Sequence, residues 1–267
     1  FCLRNIDMHI EGISNVASYT LSMKQSLLDK VFFADKIGKA DVIVDYGCAD
    51  GQLLKFLSML FPEWSCYGYD ISPEMISMAR ENNPSMLLDH DWPVIETTVS
   101  RHRQDGRQCV LVLSSIMHEI YSYGTLKDIE AFWSVVFSDL WDYIVIRDMI
   151  PGMSVDRPSA INDVVQVYTK ANRQQLYDFQ TIWGSIENNK NLVHWLLKYR
   201  YTGNWQREAK ENYIPVYREH LLSSFPASYR VTYHEHYVLP YIRDHVERDF
   251  SIDLKDNTHL KLILSRR

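Results

Sequence analysis

Two glycines and a distant carboxylate form the clearest chemical pattern in this sequence. The segment Asp45-Tyr46-Gly47-Cys48-Ala49-Asp50-Gly51 follows the run Val42-Ile43-Val44, and an unbroken β-branched run is typical of a strand buried on both faces. Gly47 permits a sharp exit from that strand, and Gly51 allows the next helix to start close to a ligand. Asp70 ends a second strand-like stretch, roughly 20 residues further on, where a carboxylate can accept hydrogen bonds from a ribose diol.

Three kinds of glycine loop compete for this segment. A dinucleotide-binding loop would need glycines at Ala49 and Gln52, and a phosphate-binding P-loop would need a Gly-Lys-Ser/Thr ending that is missing. The remaining pattern, Asp45-x-Gly47-x-x-x-Gly51 with a distal Asp70, resembles the first two motifs of class I S-adenosylmethionine-dependent methyltransferases. The alternative is a strand–helix crossover that binds no ligand.

The resemblance implies a set of residues around S-adenosylmethionine, whose product is S-adenosylhomocysteine. The glycine turn would hold the methionine part, Asp70 the ribose, and an acid after the third strand the adenine amino group. Asp89 is the first choice for that acid and Asp91 the second, while Trp92 would either stack on adenine or pack on the sheet. The predicted cofactor-binding residues are Asp45, Gly47, Cys48, Ala49, Gly51, Asp70, Ile71, Asp89, His90, Asp91, Trp92 and Ser114.

Residues after the fourth and fifth predicted strands are candidates for the acceptor side, because ligands of open α/β sheets bind beyond the carboxyl ends of strands. His118 is the predicted general base if the acceptor is protonated at neutral pH. Otherwise His118 would cap a helix or orient the substrate. Glu119, Tyr121 and Arg147 are predicted substrate contacts. Arg147 would hold an anionic group or pair with the neighbouring Asp148.

Two further clusters suggest other chemistry. His234 and His236 would share one face of a strand, but no third ligand is evident, so we predict strand surface and no metal site. Residues 198–201 and 205–207 mix basic and aromatic side chains. Such mixtures bind single-stranded nucleic acids, although a solvated helix face is the commoner cause.

The alternation of strands and helices predicts a Rossmann-like α/β fold, a doubly wound and mostly parallel sheet with an antiparallel final strand. We expect an N-terminal helical segment over 1–39 and a cofactor-binding domain formed by 40–149 and 227–267. Helical spacing over 150–226 predicts an insertion after the fifth strand that caps the site. Arg101 to Arg107 is predicted to be a polar surface loop.

Composition limits the function classes. The chain has 267 residues, a net charge of −6 and 46% hydrophobic residues, which predicts a packed core without a basic footprint for duplex nucleic acid. Four cysteines without a C-x-x-C pair favour buried thiols in a reducing compartment, so we expect a cytoplasmic protein. No apolar run is as long as a membrane span, and no signal peptide is visible.

The sequence therefore predicts an S-adenosylmethionine-dependent methyltransferase that methylates oxygen or nitrogen of a small molecule. Ser114-Ser115-Ile116-Met117 stands where amino-group DNA methyltransferases carry an Asn/Asp-Pro-Pro-Tyr/Phe motif, and a Pro-Cys loop for cytosine carbon is missing. The runner-up is methylation of RNA or another polymer. A non-catalytic cofactor-binding subunit of a larger assembly is the third possibility, and the oligomeric state is left open.

Overall fold

The computed structural model describes residues 26–267. The helical prediction for 1–39 falls mostly outside these residues. Within its described part, a short helix, α1 (Leu27–Lys30), is followed by turns up to the first strand.

A seven-stranded sheet forms the centre of the described chain. Its strands follow the order β3-β2-β1-β4-β5-β7-β6. Strand β7 pairs antiparallel with both β5 and β6, while the pairs among β1 to β5 are parallel. The predicted fold class, including the antiparallel final strand, is confirmed. The strands are β1 (Val42–Tyr46), β2 (Ser65–Tyr69), β3 (Leu87–Asp89), β4 (Cys109–Ser114), β5 (Tyr143–Met149), β6 (Tyr229–Tyr237) and β7 (His259–Arg266).

Helices cover both faces of the sheet, which explains why β1 and β4 are apolar on both faces. Alternate residues of β1 enter different cores: Val42 and Val44 pack on one side with Ile95 and Phe132. Ile43 packs on the other side with Leu54 and its neighbours. The crossover helices are α2 (Gln52–Leu60), α3 (Pro73–Asn82), α4 (Trp92–Gln104), α5 (Met117–Tyr123) and α6 (Leu126–Val136).

The loop predicted from Arg101 to Arg107 is wrong for most of its length, because α4 continues to Gln104. Ile95 and Val99 are buried on the inner face of this helix. Its basic residues lie in the last turn, where positive charge is favoured by the helix dipole. Arg103 also forms a 2.6 Å ion pair with Asp142. The helix was not predicted because the segment is polar and few apolar residues mark its inner face.

The chain between β5 and β6 is largely helical and forms a core of its own with α12 (Pro240–Phe250). Lys198 and Arg207 are buried there, so the interpretation of their segments as solvated helix faces is wrong. Within residues 26–267, no helix is long and apolar enough to cross a membrane. The helices of this segment are α7 (Ile161–Lys170), α8 (Arg173–Trp183), α9 (Asn189–Lys198), α10 (Trp205–Glu208) and α11 (Arg218–Ser223).

Candidate active site

A cavity of about 130 Å³ lies at the carboxyl ends of β1, β4 and β5. Strand order reverses at β1, and this is the position where open α/β sheets bind ligands. The sheet contributes the floor, and the helical segment after β5 contributes one wall. The residues that line the cavity from these two parts of the chain include Gly47, Ala49, Asp70, Ser114, His118, Arg147, Tyr201, Glu208 and Glu211.

The glycine turn after β1 is tied to the end of β2 by backbone hydrogen bonds. Gly47 and Cys48 donate their N–H groups to the Tyr69 carbonyl at 2.7 and 2.9 Å. Gly47 and Ala49 have positive φ angles of 83° and 46°. A left-handed conformation is costly for alanine, and such strain is concentrated at functional sites. The turn therefore holds its backbone in a fixed shape beside the cavity.

Asp70 joins the same turn to the cavity. Its Oδ2 accepts a 2.8 Å hydrogen bond from the Ala49 N–H, and its Oδ1 accepts one of 2.9 Å from the Ser72 N–H. Burial raises the pKa of Asp70 to about 6, although these two hydrogen bonds lower it. Each carboxylate oxygen has two lone pairs, so the group can still accept from a diol.

A smaller adjoining cavity is lined by Asp45, Cys48 and Asp50, and Lys30 and Ser114 line both cavities. Within the described residues, Asp45 Oδ1 and Ser114 Oγ are buried without hydrogen-bond partners. Burial raises the pKa of Asp45 to about 7, and the Lys30 ammonium opposes this rise. An acceptor for an ammonium group and a cation for a carboxylate thus lie beside the turn, as an amino-acid ligand requires.

Other predicted cofactor residues serve packing or lie off the cavity. Ile71 packs partly buried against the main core. An added Cβ at Gly51 would lie only 2.6 Å from the side-chain amide nitrogen of Asn83. Packing against Asn83 therefore requires glycine at this position, independently of any ligand.

The segment after β3 does not reach either cavity among the described residues. Asp89 accepts a hydrogen bond from the Asp91 N–H and pairs with Arg80 at 3.0 Å, while His90 is half-exposed. Trp92 is buried, with its ring centroid 5.2 Å from that of Tyr46. Of the two interpretations of Trp92, the structure supports packing on the sheet.

His118 lies on α5 and forms the centre of the acceptor side. Its Nδ1 is 2.8 Å from Asp148 Oδ1, and Asp148 Oδ2 accepts a hydrogen bond from the Met117 N–H. The other ring nitrogen, Nε2, is 3.9 Å from Glu211 Oε2. Burial lowers the pKa of His118, but the carboxylates, Asp148 foremost, outweigh it and raise the pKa to about 9. Asp148 therefore fixes the ring.

Three glutamates and an arginine surround the far side of His118. Arg207 contacts Glu119 at 3.1 Å and Glu211 at 2.9 Å. Glu208 accepts a hydrogen bond from the Tyr213 hydroxyl. Burial, together with the charges of Glu119 and Glu208, raises the pKa of Glu211 to about 7. This wall of the cavity is thus rich in carboxylates, with part of their charge neutralised.

Of the three predicted substrate contacts, Arg147 and Glu119 line the cavity and Tyr121 does not. Arg147 lines the cavity, donates to Asp29 Oδ2 at 2.8 Å and donates to Ser115 Oγ at 2.7 Å. Tyr121 accepts a 3.0 Å hydrogen bond from the Trp133 indole and does not line the cavity. Glu119 does line it.

Several residues at or beside the cavity were not predicted as site residues. Asp148 was considered only as a partner for Arg147, although its place after the fifth strand was a usable signal. Lys30, Glu208 and Glu211 come from segments without a motif, and Tyr201 was noted only within the basic and aromatic residues 198–201. Only the fold brings them to the carboxyl ends of the strands.

Comparison with known proteins agrees with this architecture. A family model for a methyltransferase domain matches residues 43–136. Over these residues the match agrees with the predicted family, whose methyl donor is S-adenosylmethionine. No curated protein matches the chain.

Solved structures of methyltransferases resemble the chain at low identity. One from Anabaena variabilis, an S-adenosylmethionine-dependent methyltransferase, is 14% identical with a TM-score of 0.49 and coverage of 99% of both chains. A plantazolicin methyltransferase, BamL, is 13% identical with a TM-score of 0.45 and coverage of 94% of this chain and 86% of that one. One from Archaeoglobus fulgidus is 12% identical with a TM-score of 0.46, covering 93% and 99%.

Proposed function

We propose that this chain, whose residues 43–136 match a methyltransferase domain, methylates an oxygen or nitrogen atom of a small molecule. One observation carries the proposal: His118, whose ring is held by Asp148 at 2.8 Å, lines the same cavity as the glycine turn and Asp70. A proton acceptor and the groups suited to the methyl donor therefore line one cavity.

The residues beside the turn fit S-adenosylmethionine, which supplies an electrophilic methyl group on a sulfonium sulfur. Asp70 would accept hydrogen bonds from the ribose hydroxyls. Asp45 and Ser114 offer buried acceptor oxygens for the amino group, and Lys30 offers a cation for the carboxylate. For the adenine contact, Asp89 and Asp91 stay predictions from the family resemblance.

His118 takes the proton of the acceptor in this proposal. Asp148 holds the Nδ1 side of the ring, so Nε2 is the atom that faces the acceptor. When the acceptor oxygen or nitrogen forms its bond to the methyl carbon, the carbon–sulfur bond breaks and the acceptor proton passes to Nε2. Orientation of the acceptor and exclusion of water supply the rest of the catalysis.

The pKa of His118 has a consequence for the reaction. A pKa of about 9 leaves the imidazole mostly protonated at neutral pH. Because only the neutral ring accepts a proton, turnover should rise with pH towards about 9. The small fraction of neutral base at pH 7 is compensated in part by its greater basicity.

The wall built from the segment after β5 favours a small acceptor over a polymer. Tyr201, Glu208 and Glu211 enclose the cavity opposite the sheet. Carboxylates at this wall would repel a phosphate backbone, so methylation of RNA is the second candidate. Cys48, Cys66 and Cys109 are buried free thiols, which supports the expected reducing compartment.

The test is methyl transfer itself. Purified chain is incubated with S-adenosylmethionine and pools of small hydroxyl and amine compounds, in parallel with RNA, and formation of S-adenosylhomocysteine is measured. We expect turnover with members of the small-molecule pool, and His118→Gln should lower this turnover by about 10²- to 10⁴-fold. Turnover with RNA alone would contradict the acceptor class, and cofactor binding without turnover in all pools would favour a non-catalytic subunit.

A further inference from the structure

A buried guanidinium group at the acceptor side has one donor that the described chain leaves unused. The side chain of Arg147 is only 5% exposed and lines the cavity. Its Nε donates to Asp29 and its Nη1 to Ser115, but Nη2 has no hydrogen-bond partner within residues 26–267. Buried charged donors are almost always satisfied in folded proteins, so this group calls for a ligand.

Asp29 does not neutralise Arg147 completely. Lys261 contacts the same carboxylate at 2.7 Å, so two cations share one near anion. Glu235 also reaches Lys261, at 3.2 Å, but its side chain is 41% exposed and its charge is screened by water. His259 lines the cavity nearby, and burial holds its pKa well below the usual value, so its ring is neutral. This wall therefore keeps an excess of positive charge.

The part of the lining beside His118 has the reverse character. Glu119, Glu208 and Glu211 line the cavity on the side of His118 and the segment after β5. Arg207 neutralises only part of this carboxylate charge, so an anion would be attracted to Arg147 in preference to the wall of glutamates. A molecule with a negative group at one end would thus enter in a single orientation, with its other end towards His118.

We propose that Arg147 binds a carboxylate or phosphate group of the methyl acceptor, so that the substrates are small anionic molecules. A guanidinium group matches the planar carboxylate and the phosphate with parallel N–H donors. This inference rests on the proposed function, since it names the class of acceptor for the same site. It assigns to Arg147 the choice of substrate and leaves the proton transfer to His118.

The experiment is calorimetric titration of the chain, saturated with S-adenosylhomocysteine, with inorganic phosphate and with benzoate at constant ionic strength. Saturable binding of at least one anion is expected. Arg147→Met should weaken it by about tenfold or more, because a charged hydrogen bond and its ion pair are lost. Asp29→Asn is the matched control, since it breaks the same ion pair but keeps the guanidinium group. This control should bind the anion as well as the unaltered chain or more tightly.

Three results would overturn the inference. The first is that the saturated chain binds neither anion. The second is an equal loss of anion affinity in Asp29→Asn and Arg147→Met, which would make the ion pair purely structural. The third is about tenfold weaker binding of S-adenosylhomocysteine by Arg147→Met, which would assign Arg147 to the cofactor. Failure of S-adenosylhomocysteine to bind the unaltered chain would instead overturn the proposed function.

Two additions keep the test decisive. If Arg147→Met does not fold, Arg147→Lys preserves a positive charge beside Asp29 but lacks the second terminal nitrogen, and the same loss is expected. Tighter binding of phosphate would identify phosphorylated acceptors, whereas tighter binding of benzoate would identify carboxylic acids.

Discussion

The two sides of the cavity are built differently. The side at β1 and β2 is one continuous turn plus Asp70, held together by backbone N–H groups that donate to Tyr69 and Asp70. The side at β4 and β5 depends on side chains from distant parts of the chain, such as His118, Asp148 and Glu211. Local backbone geometry is encoded in a short motif, whereas a side-chain cluster exists only after the chain has folded.

The sides also differ in electrostatics. Beside the turn, Asp45 Oδ1 and Ser114 Oγ have no partners among the described residues, so acceptors are ready for a ligand. Around His118, the carboxylates of Asp148 and Glu211 are engaged with neighbouring donors. The side beside the turn therefore suits binding of the methyl donor, and the side around His118 suits proton transfer from the acceptor.

Replacement of His118 should have the largest effect and would separate the two sides most clearly. His118→Gln should lower turnover by about 10²- to 10⁴-fold, the usual contribution of a general base. Affinity for S-adenosylhomocysteine should stay nearly intact, because the turn and Asp70 are unchanged. Steady-state kinetics and calorimetry measure the two quantities. An unaffected rate would remove His118 as the base.

Asp70→Ala tests the other side. It removes a carboxylate that accepts from the Ala49 and Ser72 N–H groups and faces the cavity. We expect S-adenosylmethionine binding to weaken by about 1.5–3 kcal/mol. The exposed Asp105→Ala serves as a control for lost charge. Unchanged affinity in a folded Asp70 variant would contradict the ribose assignment.

Asp148→Asn tests whether Asp148 raises the pKa of His118 and orients its ring. Loss of the Asp148 charge should lower the pKa of His118 from about 9, so the rising limb of the pH–rate profile moves to lower pH. The plateau rate should fall by about tenfold or more, because the ring loses its orienting partner. Turnover measured across pH checks both effects. A profile that stays in place would show that another group titrates.

Tyr121→Phe should have the smallest effect on catalysis. Its hydroxyl accepts a hydrogen bond from Trp133 outside the cavity, so turnover should change by less than about threefold. The free energy of unfolding should fall by about 1 kcal/mol through loss of that hydrogen bond. Chemical denaturation measures the free energy of unfolding, and steady-state kinetics measures turnover. A large loss of turnover would place Tyr121 at the acceptor.

The sequence was sufficient to predict the sheet and the turn, because the β-branched run and Gly47 constrain the backbone locally. It was also sufficient to place His118 at the functional edge, since β4 ends just before it. Asp148 could not be identified as its partner, because whether Asp148 faces His118 or Arg147 depends on side-chain packing in three dimensions. For Trp92 the sequence left stacking on adenine and packing on the sheet open, and only the fold shows that the side chain is buried in the core.

The helical segment after β5 was the hardest to interpret. Lys198 was expected on a solvated face, yet its ammonium donates to the carbonyls of Glu208 and Glu211 inside the protein. Burial lowers the pKa of this lysine to about 7. Without a motif or a partner nearby in sequence, a buried lysine cannot be told from an exposed one.

The most direct test of the central claim is calorimetric titration of the chain with S-adenosylhomocysteine, with NAD as the matched negative control. We expect micromolar binding of S-adenosylhomocysteine and no heat from NAD, because Ala49 and Gln52 replace the glycines that a dinucleotide needs. Binding of NAD, or silence from S-adenosylhomocysteine, would contradict the assignment of the turn to a methyl donor.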